Sequence, residues 1–311
     1  MTSSIPWPNG KRFAFTVFDD TDLATTANVQ PVYAFLADCE FRTTKSVWVV
    51  EGDRSRGTCI GDSCENPEYL RWVLEIQAQG FEIGFHNCTW HGLPREEIQA
   101  ALKKFAELFG HNPVTAANHT GVEESIYWAD ARLTGWRRYV YNILTHFHNY
   151  KRFRGHVEGD KYFWGDLCKE KIHYFRNFTF QDINTLKACP FMPYHDPLKP
   201  YVRHWFASSD GHDVESFNRC LSERNQDRLE EEGGACIMYT HFAKDFFADG
   251  KLNPRFCELM LRLAKKNGWF VPAATLLGYL LERNGSHDIT NDQRRQLESQ
   301  WLWGKLFTGA T

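Results

Sequence analysis

Apolar residues in this chain fall into short runs separated by longer amphipathic stretches. Residues 13–18 (FAFTVF), 45–50 (KSVWVV) and 81–85 (FEIGF) are β-branched and aromatic runs of strand length. Residues 113–117, 202–207 (VRHWFA), 235–240 (ACIMYT) and 269–272 repeat the pattern. Helical spacing fills the gaps. One helix is expected to start near Pro31, carrying Tyr33, Phe35 and Leu36. A second opens with Asn66-Pro67-Glu68 and runs to Gly80. That start places a capping side chain, a proline in the first turn and an acid beside the helix dipole. A third begins at Pro94, aligns Ile98, Leu102, Phe105 and Phe109 on one face, and stops at Gly110. Residues 254–267 put Phe256, Met260, Leu263 and Ala264 in phase, and a helix LLGYLLERN follows the last strand.

Strands alternating with helices of this length predict right-handed βαβ units and a parallel sheet. No GxGxxG follows the first strand, so a dinucleotide-binding fold is disfavoured and an α/β barrel becomes the expectation. Residues 138–200 are irregular and aromatic-rich, with a strand-like piece at 171–180 and a proline-rich loop at 190–200. They read as an insertion over one face of the barrel. The expected layout is one barrel domain over 1–282 and a helical tail over 283–311. The tail opens with a Thr290–Gln293 capping box, and its Trp301, Trp303 and Phe307 read as docking on the barrel.

Composition narrows the function classes. The 311 residues carry a formal net charge of -3, so there is no global basic field for nucleic acid. No apolar run of signal-peptide type opens the sequence, and the most apolar late stretch, 269–281, is too short to span a bilayer and contains Pro272 and Gly278. A cytoplasmic protein without a transmembrane segment is expected. Nine scattered cysteines without a CxxC pair agree with that, and Cys59 and Cys64 read as ordinary loop thiols. A homo-oligomer is compatible with all of this.

The polar residues carry the chemistry. The strands end in Asp19-Asp20, His86-Asn87, Asn118-His119, Ser208-Ser209-Asp210 and Thr240-His241. In a parallel barrel those ends share one rim, which is where barrel active sites sit. Each residue alone has a bland explanation as a cap, a turn or a satisfied core histidine. Their concurrence on one rim does not. Histidines and an aspartate converging there suit a divalent ion such as zinc, with an open position for water.

At these residues the chain resembles the polysaccharide deacetylases, the NodB-homology superfamily of carbohydrate esterases. Thr16-Val17-Phe18-Asp19-Asp20 matches a strand ending in Thr-Phe-Asp-Asp. Gly84-Phe85-His86-Asn87-Cys88-Thr89-Trp90-His91 matches Gly-x-His-(Ser/Thr)-x-x-His with one extra residue between the histidines. Ile237-Met238-Tyr239-Thr240-His241 matches the late hydrophobic-x-His strand, and Phe270-Val271-Pro272 with its helix looks like the family's end. The family's Arg-x-Pro-Tyr segment is absent, and Asn118-His119-Thr120-Gly121 stands there.

The resemblance implies a distorted (β/α) barrel of NodB type with a loop-rich insertion. It also implies a metal-dependent hydrolase removing an N-acyl group from a carbohydrate, such as a surface-polysaccharide precursor. It assigns the metal (zinc, with cobalt or manganese as substitutes) to Asp20, His86 and His91. It gives catalysis to Asp19 as general base and His241 as proton donor, oriented by Asp210. Asn118, His119 and Trp205 would contact substrate. A different C–N bond hydrolase, such as a deformylase or imide hydrolase, and an inactive carbohydrate-binding relative are the alternatives. If the longer spacing makes His91 a bystander, Trp90 closes the site as an apolar wall, and His119 or water is the remaining ligand.

Overall fold

The computed structural model describes residues 5–56 and 60–308; Cys59 and the Phe307 side chain lie outside the described residues. The described residues form ten strands: β1 (Phe13–Asp19), β2 (Thr44–Val47), β3 (Glu82–Phe85), β4 (Thr115–Ala116), β5 (Tyr174–Phe180), β6 (His204–Asp210), β7 (Ala235–Thr240), β8 (Phe247–Ala248), β9 (Lys251–Leu252) and β10 (Gly268–Phe270). Strands β1 to β7 pair in sequence order, and β7 returns to β1, so seven parallel strands close an α/β barrel. β10 pairs with Phe13 to Phe15 of β1, whereas β2 pairs only with its last two residues, so β1 serves two neighbours along one edge. β8 and β9 form a separate small hairpin.

The helices are α1 (Thr26–Asp38), α2 (Pro67–Ala78), α3 (Arg95–Phe109), α4 (Gly135–Leu144), α5 (Gly165–Lys171), α6 (Thr185–Ala188), α7 (Val214–Cys220), α8 (Glu223–Glu232), α9 (Pro254–Ala264), α10 (Ala273–Asn284) and α11 (Asn291–Thr308). The local signals act as expected in α2 and α3. Asn66 accepts from Glu68 N and Tyr69 N, and Gly110 ends α3 at φ 79°, where a side chain would be strained. α3 buries Ile98, Ala101, Leu102, Phe105 and Phe109. Full burial of each large apolar side chain is worth roughly 1.5–3 kcal/mol.

Three expectations change. Pro31 lies inside α1 and does not open it; the helix starts at the Thr25 N-cap, whose capping box with Asn28 is the stronger signal. Residues 174–180 are a full barrel strand between β4 and β6, so residues 138–200 are not wholly an insertion. The irregular part runs instead from β4 to α5 and holds only a 3-10 turn (Ala129–Arg132) and α4. Finally, α11 docks through Leu297, Trp301 and Leu302, while Trp303 is 58% exposed because it projects from the opposite face. Trp301 packs on Phe178 of β5 and Tyr141 of α4. A buried ion pair, Arg294 to Asp196, fixes the start of that helix.

Candidate active site

The first strand sorts its acids by face. Side chains alternate along a strand, so Asp19 and Asp20 point opposite ways. Asp19, expected as the general base, points away from the barrel interior. Tyr33 donates to its Oδ2 (3.0 Å), Phe242 N donates to its Oδ1 (2.8 Å), and the Lys45 ammonium sits 2.9 Å from Oδ2, off the line of a good hydrogen bond. Burial raises the Asp19 carboxyl above its ordinary range, with Lys45 only partly offsetting it. Asp19 is therefore a structural anchor between β1, β2 and α1, and it does not line the pocket.

Asp20 faces inward, but its carboxylate belongs to Arg176. The guanidinium donates from Nη1 to Oδ1 (2.9 Å) and from Nη2 to Oδ2 (2.5 Å), a bidentate fork. Burial pushes Asp20 up, yet the charge and hydrogen bonds of Arg176, together with His86 and His241, hold the carboxyl below its ordinary value. Arg176 comes from the middle of β5 and stands over the Phe18 and Tyr239 rings.

Two residues further on, Asp22 occupies the place expected of Asp20. Its Oδ1 lies 3.1 Å from His86 Nε2 and 3.0 Å from His119 Nδ1, and its Oδ2 lies 3.4 Å from His241 Nε2. Asp22, His86 and His119 present ligand atoms within 4.8 Å of one another, all buried. Despite its burial, Asp22 is held well below the carboxylate range, His119 being the largest opposing influence. Burial lowers the His86 imidazole, which favours the neutral ring a metal needs. His86 Nδ1 is buried without a hydrogen-bond partner, and its nearest carboxylate oxygen is Asp20 Oδ1 at 3.7 Å. Two imidazoles and one carboxylate form a donor set suited to Zn²⁺.

His91 is elsewhere. Its Nε2 accepts from Asp53 N (2.8 Å) and its ring lies against its own loop. The extra residue in the loop turns Trp90 inward instead, where it is buried 5.3 Å from Trp48. Trp48 in turn backs His119, ring to ring at 5.3 Å. The loop after β4 delivers His119. Asn118 closes that loop with two bonds to Ile126, and Asn87 accepts from His119 N (2.6 Å). Asn118 lines the pocket together with Thr120, Trp128, Thr179 and Tyr239. Trp205 is buried against Phe175 and Tyr127 and does not line it.

His241 follows β7 directly. Its Nδ1 meets the His212 carbonyl at 2.8 Å, so the neutral ring carries its proton there and turns Nε2 to the pocket. Asp210, expected to orient this ring, is occupied by Gln181 (2.8 Å) and His212 (3.0 Å). The carbonyl does that work. Sequence reasoning missed Asp22 and Arg176. A third acid two residues after the Asp pair, and one arginine in an otherwise aromatic strand, were the available signals.

No known family matches the sequence. No curated protein matches it either. Among solved structures, the chain is similar to one described as a probable polysaccharide deacetylase from Pseudomonas aeruginosa PAO1, at 13% identity over 89% of this chain and 93% of that one, with a TM-score of 0.49. It is also similar to PuuE allantoinase at 13% identity, 89% and 93% coverage and a TM-score of 0.48. A peptidoglycan deacetylase, PdaC, from Bacillus subtilis aligns at 14% identity over 93% and 98% with a TM-score of 0.41. Likenesses this remote carry no activity across.

Proposed function

We propose that this chain is a divalent-metal-dependent deacylase that removes an N-acyl group, most simply acetyl, from a carbohydrate. The observation that carries the reading is the buried Asp22, His86 and His119 cluster at the C-terminal rim, flanked by Asp20 and His241. Asp22, His86 and His119 would hold the ion, and its chemistry when bound is to acidify water and polarise the acyl carbonyl.

The remaining groups have separable tasks. Asp20, kept ionised by Arg176, accepts an O–H from the attacking water and fixes its orientation. His241 takes up at Nε2 the proton that the attacking water gives up and delivers it to the departing amine, while the His212 carbonyl holds the ring in place. Trp48 and Trp90 form the apolar wall that keeps bulk water from this side.

Acetate and formate release from N-acetylated and N-formylated sugars by zinc-loaded protein tests the reading. His241→Ala should lose about a hundredfold to ten-thousandfold in turnover with its metal retained. Undiminished turnover in that variant, or no acyl release from any sugar, would contradict it.

A further inference from the structure

The described residues include five buried cationic side chains: Lys45, Arg132, Arg176, Lys199 and Arg294. Four meet a carboxylate: Lys45 on Asp19, Arg176 on Asp20, and both Lys199 and Arg294 on Asp196. Arg132 is the exception. It is 3% exposed, its Nε has no hydrogen-bond partner, and no carboxylate among the described residues pairs with it. A buried cation without a counter-charge is costly, so its retention calls for an anion from outside.

Its surroundings indicate where that anion would sit. The guanidinium carbon lies 3.5 Å from the Trp128 ring centroid and 5.2 Å from that of Trp301. Trp128 lines the pocket of Asp22 and His86. Trp301 lines an adjoining cavity of about 180 Å³, together with Gln181, Gln300 and Lys305, and Thr179 lines both spaces. Lys305 Nζ is 5.1 Å from the same Trp301 ring, so one indole has two cations beside it. Of the acids nearby, Asp182, on the cavity wall, is bridged by Arg228, while Asp210 accepts from Gln181 and His212 and offsets only part of the pressure on Lys305.

We propose that Arg132 and Lys305 form an anion-binding subsite beside the candidate metal centre, and that the sugar carrying the acyl group also bears a carboxylate or a phosphate. The sugar in this statement rests on the deacylase reading; the anion preference does not. Burial above all pushes Arg132 down to about 9. Burial and the Arg132 charge push Lys305 down to about 8. A bound anion reverses both pressures, and the aromatic walls suit the apolar face of a sugar ring.

Calorimetric titration with N-acetylglucosamine, its 6-phosphate and the corresponding uronic acid tests this, using both zinc-loaded and chelator-treated protein. One or both anionic sugars should bind at least about tenfold tighter than the neutral one, and the better one identifies the anion. Lys305→Met, at a half-buried position, should lose most of that ratio while neutral-sugar binding is unchanged; Arg132→Gln should lose it too. The preference should survive chelation. Equal binding of all three sugars, no binding of either anion at millimolar concentration, a ratio unchanged in Lys305→Met, or a preference that vanishes with the metal would each overturn the subsite. An anion preference without acyl release would leave the subsite standing and count against the deacylase.

Discussion

Glu124 is fully buried behind the site, where its carboxyl accepts from Leu93 N (3.3 Å) and Asn87 Nδ2 (3.4 Å). Burial, only partly offset by these bonds, pushes it up to about 8. The folded chain therefore keeps a proton that the unfolded chain loses near 4.5. Stability from this group is complete below about pH 4.5, falls as pH rises toward 8, and levels off above. Glu124→Gln cannot ionise. Its melting temperature relative to wild type should climb across that window; parallel pH profiles would show that Glu124 ionises freely in the fold. At this scale the sequence was only partly legible. His86, His119 and His241 stand out because each follows an apolar run. Asp22 does not, because the chain has left the strand and its side chain obeys no period of two. Lys45 opens the 45–50 run, and only the tertiary contact with Asp19 explains its full burial.

At the scale of elements, the rim opposite the site is tied by one residue. Glu82, at the start of β3, accepts from Thr44 Oγ1 of β2 (2.6 Å), Thr115 Oγ1 of β4 (2.7 Å) and Ala274 N of α10 (2.9 Å). Glu82→Ala would strand three donors, each costing roughly 1–3 kcal/mol when buried without a partner. Urea unfolding should show a loss of about 3 kcal/mol or more, with metal content unchanged in the folded protein. A smaller loss would mean that water or a neighbour replaces the carboxylate. Elements with strong local signals were readable in advance: the Asn66 cap, the Gly110 stop and the Thr290–Gln293 capping box, whose two reciprocal bonds are present. β5 was harder, since Arg176 and Asn177 interrupt its apolar run. Both are buried, Arg176 against Asp20 and Asn177 against Tyr194. The trace of helix order at Pro31 was misleading because proline often marks a first turn, yet here the Thr25 cap opens the helix earlier.

For the whole molecule, the barrel was legible because parallel strands covered by helices read as continuous apolar runs. Closure follows from β7 pairing along β1, and it gathers Asp20, Asp22, His86, His119 and His241 on one rim. Among the described residues no helix is long and apolar enough to cross a membrane. The candidate ligand set was only partly legible, because motif spacing places His91 one turn after His86 while the longer loop spends that turn on Trp90. Zinc content and affinity across Asp22→Asn, His119→Ala and His91→Ala therefore test the account most directly. Wild type and His91→Ala should each hold about one zinc per chain, with Asp22→Asn and His119→Ala weakened at least about a hundredfold, beyond the 10–100-fold usual for supporting residues. Loss of zinc in His91→Ala with retention in the other two would contradict it.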